Sequence, residues 1–204
     1  MSDDGFRIVP AHAAPFADVE AVFGTRGDPA HCWCQWYKIP GADWRLTDAE
    51  LRDRLAEQLA DPATNAGLVA YDGEIPVGWC AVEPRAHLPR LSRKRIVVDG
   101  SRHPDFDDAG VWALTCFVVP REHRRRGVAA ALAAGAVEHA RANGARVIEG
   151  YAIDPSVRAK TPAADLFVGT VSMFTGAGFA EVARPTPSRA VMERVLGGKA
   201  DAGR

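Results

Sequence analysis

Apolar positions along the chain change period several times, and each change marks an element. The change is sharpest between Val111 and Ala142. The run Trp112–Val119 is apolar but for Thr115, rich in β-branched and aromatic residues, and closed by Pro120. That is the profile of a central strand covered on both faces. From Gly127 onward Val128, Leu132, Ala136 and Ala140 recur every four residues and form one stripe of a helix.

Upstream, Phe6–Pro10 reads as a short strand. Pro15 suits the first turn of a helix whose stripe is Phe16, Val19, Val22 and Phe23 and which stops at Gly24 or Gly27. Thr47-Asp48-Ala49-Glu50 is a capping-box signature, and Leu51, Leu55 and Leu59 continue it on one helical face to Asp61-Pro62. Gly67–Tyr71 and Pro76–Val82 are strand-like and flank Asp72-Gly73, a hairpin signal. Gly78 inside the second strand marks a bulge or a close backbone approach.

Downstream, Asn143-Gly144 stops the helix, Ala145–Ile153 is a strand, and Ala163–Thr175 is a helix running into Gly176–Phe179. Ala180–Ala183 and Ala190–Leu196 form two last strands about the Pro185–Pro187 turn, followed by a tail over 197–204. Only Pro84–Gly110 resists assignment. It is long for a connection and carries Arg85, Arg90, Arg93, Lys94 and Arg95 early, then Asp105, Asp107 and Asp108 late. A flap over an active site and a solvated charged loop are its two readings. The whole predicts one α/β domain over residues 1–204: a mixed sheet with helices on both faces.

Composition changes this picture little. The 204 residues are 47% hydrophobic and 25% charged, with a net charge of −1, so no global field favours nucleic acid or an acidic membrane. Gly127–Val137, the longest run of small apolar residues, falls far below the ~20 residues of a membrane span. MSDDGFRIVP shows no leader pattern, and a cytoplasmic location is expected. Four cysteines in a chain of this size predict reduced thiols, not a disulfide framework.

Charge does matter locally. Arg121, His123, Arg124, Arg125 and Arg126 crowd the turn between strand and helix, and Gly127 lets the backbone approach a ligand closely. The first N–H groups of a helix lack intrahelical partners and carry the positive end of its dipole, so this turn suits a diphosphate. A second unusual stretch is His31–Tyr37, HCWCQWY. Its C-x-C spacing is poor for a structural zinc site, and no metal is expected. Trp33, Trp36 and Tyr37, with Trp44, can wall an aromatic pocket for an amine or plug the helices onto the sheet.

Arg124-x-x-Gly127-x-Ala129 at a strand-to-helix turn, the apolar strand Cys116–Val119 before it and Gly178-Phe179 after a late helix together resemble the GCN5-related N-acetyltransferase (GNAT) family. The likeness covers roughly Gly67–Val195, and the earlier part matches in element order. It implies a partly splayed central sheet and acetyl-CoA as co-substrate, bound between Leu114–Val119 and Val147–Ala152. Backbone groups of Phe117, Val118 and Val119 would pair with the pantetheine arm as an added strand does. The N–H groups around Arg125, Arg126, Gly127, Val128, Ala129 and Ala130 would hold the pyrophosphate, with Arg124 and Arg126 adding charge. The helical segment 31–62 would lie on the acceptor side, and a homodimer is an arrangement known in the family.

The implied activity is acetyl transfer to the primary amine of a small molecule by direct attack. A protein or peptide acceptor, or an acyl-CoA-binding sensor without catalysis, are the alternatives. Such transfer needs a neutral amine, support for an oxyanion and a proton for the departing thiolate. The amide of Val118 is the candidate for the second need. The family's tyrosine acid, helix-start asparagine and glutamate base align with Phe174, Phe167 and Ala113, none of which transfers a proton. Glu149, which alternates to the same side as Tyr151, is therefore the first candidate base and Glu83 the second.

Overall fold

The structure, a computed structural model, describes residues 5–64, 66–157 and 161–197. In chain order the regular elements are β1 (Arg7–Pro10), α1 (Phe16–Phe23), α2 (Asp28–Cys32), α3 (Asp48–Ala60), β2 (Leu68–Asp72), β3 (Ile75–Pro84), α4 (Arg95–Val98), β4 (Val111–Val118), α5 (Val128–Ala142), β5 (Val147–Ile153), α6 (Val171–Gly176), β6 (Ala180–Thr186) and β7 (Arg189–Val195). The seven strands form one sheet in the order β1-β2-β3-β4-β5-β7-β6. Every neighbouring pair is antiparallel except β4 and β5, which run parallel. The expected mixed sheet with helices on both faces is therefore present.

Each face has its own core. Leu132, Ala136 and Ala140 of α5 and Phe174 of α6 pack against Leu68, Val82, Trp112, Leu114 and Ile148 on one face. The other face carries Val69, Trp79 and Ala81 beneath Val19, Val22 and Phe23 of α1 and Leu51, Leu55 and Leu59 of α3. Burial of each such leucine contributes about 1.5–3 kcal/mol. The capping box of α3 is complete, since Thr47 Oγ1 accepts from the Glu50 N–H while Glu50 takes the Thr47 N–H.

Two bulges set which side chains face which core. The β2–β3 register slips between Ala70 and Tyr71 and leaves Val77 unmatched beside Gly78, where a Cβ would lie 2.6 Å from Val128 Cγ1. Both expectations for Gly78 hold. In β4 the partners step from Ala81↔Cys116 to Val82↔Leu114, leaving Thr115 unmatched. The extra residue reverses the alternation, so Phe117 joins Trp112 and Leu114 under α5 while Cys116 turns to the opposite face.

Three expectations need correction. The β2–β3 turn is Gly73-Glu74, one residue later than Asp72-Gly73, because Asp72 still pairs with Ile75. The helix expected over 163–175 is broken: a 3-10 turn spans Ala163–Val168, Gly169 turns left-handed at φ +82°, and Thr170 caps α6 afresh. Segment 84–110 is a solvated charged loop only in part: Arg93, Arg95, Asp105 and Asp107 are exposed, but Arg85 is buried. The segment folds as a lobe with α4 inside it, burying Leu88, Leu91 and Val97 against Ala113, Tyr151 and Val191. Only residues 198–204 of the expected tail lie outside the described residues.

Candidate active site

Parallel pairing between β4 and β5 runs from Val111↔Val147 to Leu114↔Gly150 and stops. Beyond it Cys116, Phe117 and Val118 keep β3 on one edge and have no β5 partner on the other. The strands splay there because β5 takes another neighbour. Ile153 donates its N–H to the Gly169 carbonyl, and the bridge to Thr170 holds the 163–170 turn beside the gap. An open strand edge of this kind accepts an extended ligand by main-chain hydrogen bonds.

The basic turn closes one end of the gap. Arg125 and Gly127 both adopt left-handed backbone, at φ +60° and +89°. A Cβ on Gly127 would meet only Phe6, at 4.0 Å. Glycine is therefore needed for its φ and not for space. The Ala131 N–H reaches back to the Gly127 carbonyl at 3.0 Å, and the preceding N–H groups open the helix as an anion-binding nest. Arg124 is anchored through Nε to the Val119 carbonyl at 2.9 Å, and Arg126 is tied to Asp72 at 2.6 Å. Arg121 and Arg125 have no ion pair among the described residues. This set fits a diphosphate: nest, dipole and two uncommitted guanidinium groups.

On the face away from α5, a row of residues crosses four strands: Glu83 on β3 opposite Ala113 on β4, then Glu149 on β5, then Glu193 on β7. Glu149 is fully buried and fully partnered. Arg85 Nη1 lies 3.1 Å from Oε2, the Tyr151 hydroxyl donates to Oε2 at 2.8 Å, and the Ser101 hydroxyl donates to Oε1 at 2.6 Å. Arg85 is itself buried and also donates to the carbonyls of His103 and Asp105, which fastens the lobe to the sheet. Burial, with the neighbouring Glu149 carboxylate, pushes the Tyr151 phenol well up. His103, Glu149 and Glu193 bring ligand atoms within 4.8 Å of one another, the one such group among the described residues. Arg85 already supplies the positive charge beside Glu149.

Glu83 is placed differently. Lys38 Nζ lies 2.9 Å from Oε1 and forms a buried ion pair with it. Burial raises the Glu83 carboxyl above its ordinary value, and Lys38 opposes this only in part. Oε2 faces His87 Nδ1 at 3.9 Å. Lys38 is held in turn by Gln58, which exchanges hydrogen bonds with the fully buried Gln35.

The HCWCQWY segment divides. Trp33 is buried and stacks on Phe23 with ring centroids 5.0 Å apart, so it belongs to the core and walls no pocket. Trp36 is exposed and meets Trp44 edge-on at 5.1 Å, but Arg90 already lies 4.1 Å over Trp36 and 4.9 Å over Trp44. Those aromatic faces hold a protein cation, which removes the reason to read them as a cage for a substrate ammonium. Tyr37 packs against the lobe, and burial raises its phenol to about 12. The Cys34 thiol accepts from Trp79 Nε1 at 3.1 Å, and its pKa is driven up by the hydrogen bond to Cys116 and by burial. Burial also raises Cys32 to about 12. All four thiols are free.

Phe174 is fully buried, 5.0 Å from Phe179 and 6.1 Å from Phe117 between ring centroids. A Cβ on Gly150 would lie 2.3 Å from its ring, so this phenylalanine fills the space that β5 leaves. Sequence reasoning missed Arg85, Ser101, Lys38 and His87. The i, i+4 spacing of Glu83 and His87 across a strand end was the one available signal. Lys38 gave none, because its contact with Glu83 is purely tertiary.

A parallel strand pair that parts beside a cationic helix entry, within an otherwise antiparallel sheet, defines an acyl-CoA-binding type of fold. The Acetyltransferase (GNAT) family model matches residues 33–161, and the chain belongs to that family. Among solved structures, YncA from Salmonella typhimurium, which holds its cofactor acetyl-CoA, is 16% identical with a TM-score of 0.54, covering 96% of each chain. The ribosomal-protein-alanine N-acetyltransferase from Brucella melitensis is 17% identical with a TM-score of 0.53, covering 93% of this chain and 99% of that one. The GNAT domain of PAT from S. lividans is 17% identical with a TM-score of 0.52, covering 94% of this chain and 90% of that one. At these identities the likeness is one of fold. No curated relative matches the chain in sequence. Among the described residues no helix is long and apolar enough to cross a membrane.

Proposed function

We propose that this protein transfers the acetyl group of acetyl-CoA to the primary amine of a small molecule by direct attack in a ternary complex. The observation that carries the reading is the open β4 edge at Cys116–Val118 running into the nest at Arg125–Gly127. Backbone groups of Phe117, Val118 and Val119 hold the pantetheine arm. The N–H groups from Arg125 to Ala130 hold the pyrophosphate, with Arg124 and Arg126, tied to the Val119 carbonyl and to Asp72, fixing the turn and Arg121 and Arg125 adding charge. The Val118 amide supports the oxyanion.

Of the two candidate bases, Glu83 takes precedence over Glu149. Glu149 has both oxygens committed to hydrogen-bond donors and no exposure, whereas Glu83 is ion-paired to Lys38 through Oε1 and has only His87 Nδ1, at 3.9 Å, beside Oε2. Its raised pKa also moves it toward the neutral range in which a base must work. Trp36 and Tyr37 are kept as the acceptor-side residues, whereas Trp33, stacked on Phe23, serves the core. A small acceptor is favoured because lobe and helical segment close on each other there: the Arg90 N–H donates to the Tyr37 carbonyl at 3.1 Å.

The test is titration of acetyl-CoA by calorimetry, followed by thiol release against a panel of small amines and peptides. Binding with thiol release on small amines is expected. Release with peptides alone moves the acceptor to protein. Tight binding without release on any acceptor makes the protein an acyl-CoA sensor.

A further inference from the structure

His87 stands on the turn that follows β3, four residues after Glu83, with 54% of its side chain exposed. Glu83 is at the inner end of this pair, beside Ala113 and next to the point where β4 and β5 part. One member is buried opposite Ala113, one residue short of the last β4–β5 pair, and the other reaches solvent. Nothing in the packing of the lobe requires an imidazole there. The lobe is held by Arg85, Leu88 and Leu91, which are buried to within 1% of full.

We propose that His87 is the proton relay of the acceptor site, carrying to solvent the proton that Glu83 takes from the incoming ammonium. The proposal rests on the acetyltransferase reading above. The Glu83 carboxylate takes one proton from the ammonium, which leaves a neutral amine. That amine forms the C–N bond at the thioester carbon, the C–S bond breaks, and the thiolate is protonated by the proton the new amide nitrogen sheds. The net release is one proton per turnover. Glu83 passes it to His87 Nδ1, and the imidazole discharges to water.

The 3.9 Å separation of Nδ1 and Oε2 is long for a hydrogen bond, as such contacts often are before substrate binds. The charged group facing both members is Lys38, from the segment after α2; β4 offers only the apolar Ala113. Burial and Lys38 lower the His87 pKa. The imidazole is therefore neutral at neutral pH and ready to accept. Lys38 holds Glu83 in place and keeps the carboxyl from rising further.

The experiment measures kcat for thiol release against pH for the wild type, His87→Ala and Glu83→Gln, with and without added imidazole. For His87→Ala we expect kcat to fall about tenfold or more, within the range of proton-transfer catalysis, with acetyl-CoA affinity unchanged. Imidazole in the buffer should restore most of that loss. In Glu83→Gln imidazole should restore nothing, because the inner acceptor is gone. An unchanged pH profile in His87→Ala, or a loss that imidazole leaves in place, overturns the relay while the wild type's turnover keeps the acetyltransferase reading intact. A wild type that binds acetyl-CoA and turns over no amine overturns that reading, and the relay with it.

Discussion

Glu83 and Glu149 flank Ala113 on the same face of the sheet, both out of contact with bulk water, and their surroundings treat them oppositely. Glu149 lies where β4 and β5 are still paired. Arg85, Ser101 and Tyr151 fill its lone pairs, and the lobe closes over it. Glu83 lies on the far side of β4, with the single cation Lys38 paired to one oxygen at 2.9 Å and an imidazole 3.9 Å from the other. Burial alone therefore does not make a carboxylate reactive. A saturated buried carboxylate is a fastening, and an undersaturated one can exchange protons.

The strongest way to break the comparison is to unpair Glu149. Arg85→Ala leaves its charge buried without a counter-ion and should cost about 3–5 kcal/mol of stability in denaturant unfolding. A loss under about 1 kcal/mol would mean that the lobe does not depend on this pair.

Exchange of the two glutamates sharpens it next. Glu83→Gln should lower kcat about a hundredfold with acetyl-CoA affinity kept, whereas Glu149→Gln should lower stability and leave turnover per folded molecule close to the wild type. The reverse pattern would restore Glu149 as the base. Burial raises the Glu83 pKa, so it is protonated and idle to a higher pH than an ordinary carboxyl. The acidic limb of kcat against pH should accordingly lie above the usual carboxylate range in the wild type and flatten in Glu83→Gln.

The smallest effect tests the saturation itself. Tyr151→Phe removes one donor from Glu149 while Arg85 and Ser101 remain, and it should reduce stability by about 1–2 kcal/mol in thermal melts. No loss at all would show that Oε2 is served by Arg85 alone.

Much of the fold was legible because period-driven elements carry their own signal. The stripe of α5, the capping box of Thr47 and Glu50 and the β2–β3 hairpin all reappear within a residue or two. The basic turn was legible too, since Arg124, Arg126 and Gly127 sit within one turn whatever the rest of the chain does. The 163–175 helix was misread because its break depends on Gly169 meeting Met173, Phe174 and Phe117, and Phe117 is distant in sequence. The 84–110 lobe stayed open between its two readings for a related reason. Arg85 looks as solvated as the charged residues around it until it is seen to be paired with Glu149, 64 positions away.

For the site, the sequence by itself determined the basic turn and the absence of proton-transferring side chains at Ala113, Phe167 and Phe174. Those are properties of residue identity at adjacent positions. Only the tertiary structure decided how each buried glutamate is partnered. That depends on where Lys38, Arg85, Ser101 and Tyr151 point once a bulge at Thr115 and the parting of β4 from β5 have fixed the faces of the sheet. Short-range chemistry is written along the chain. The state of a buried charge is set by whatever the fold brings within a few ångströms of it.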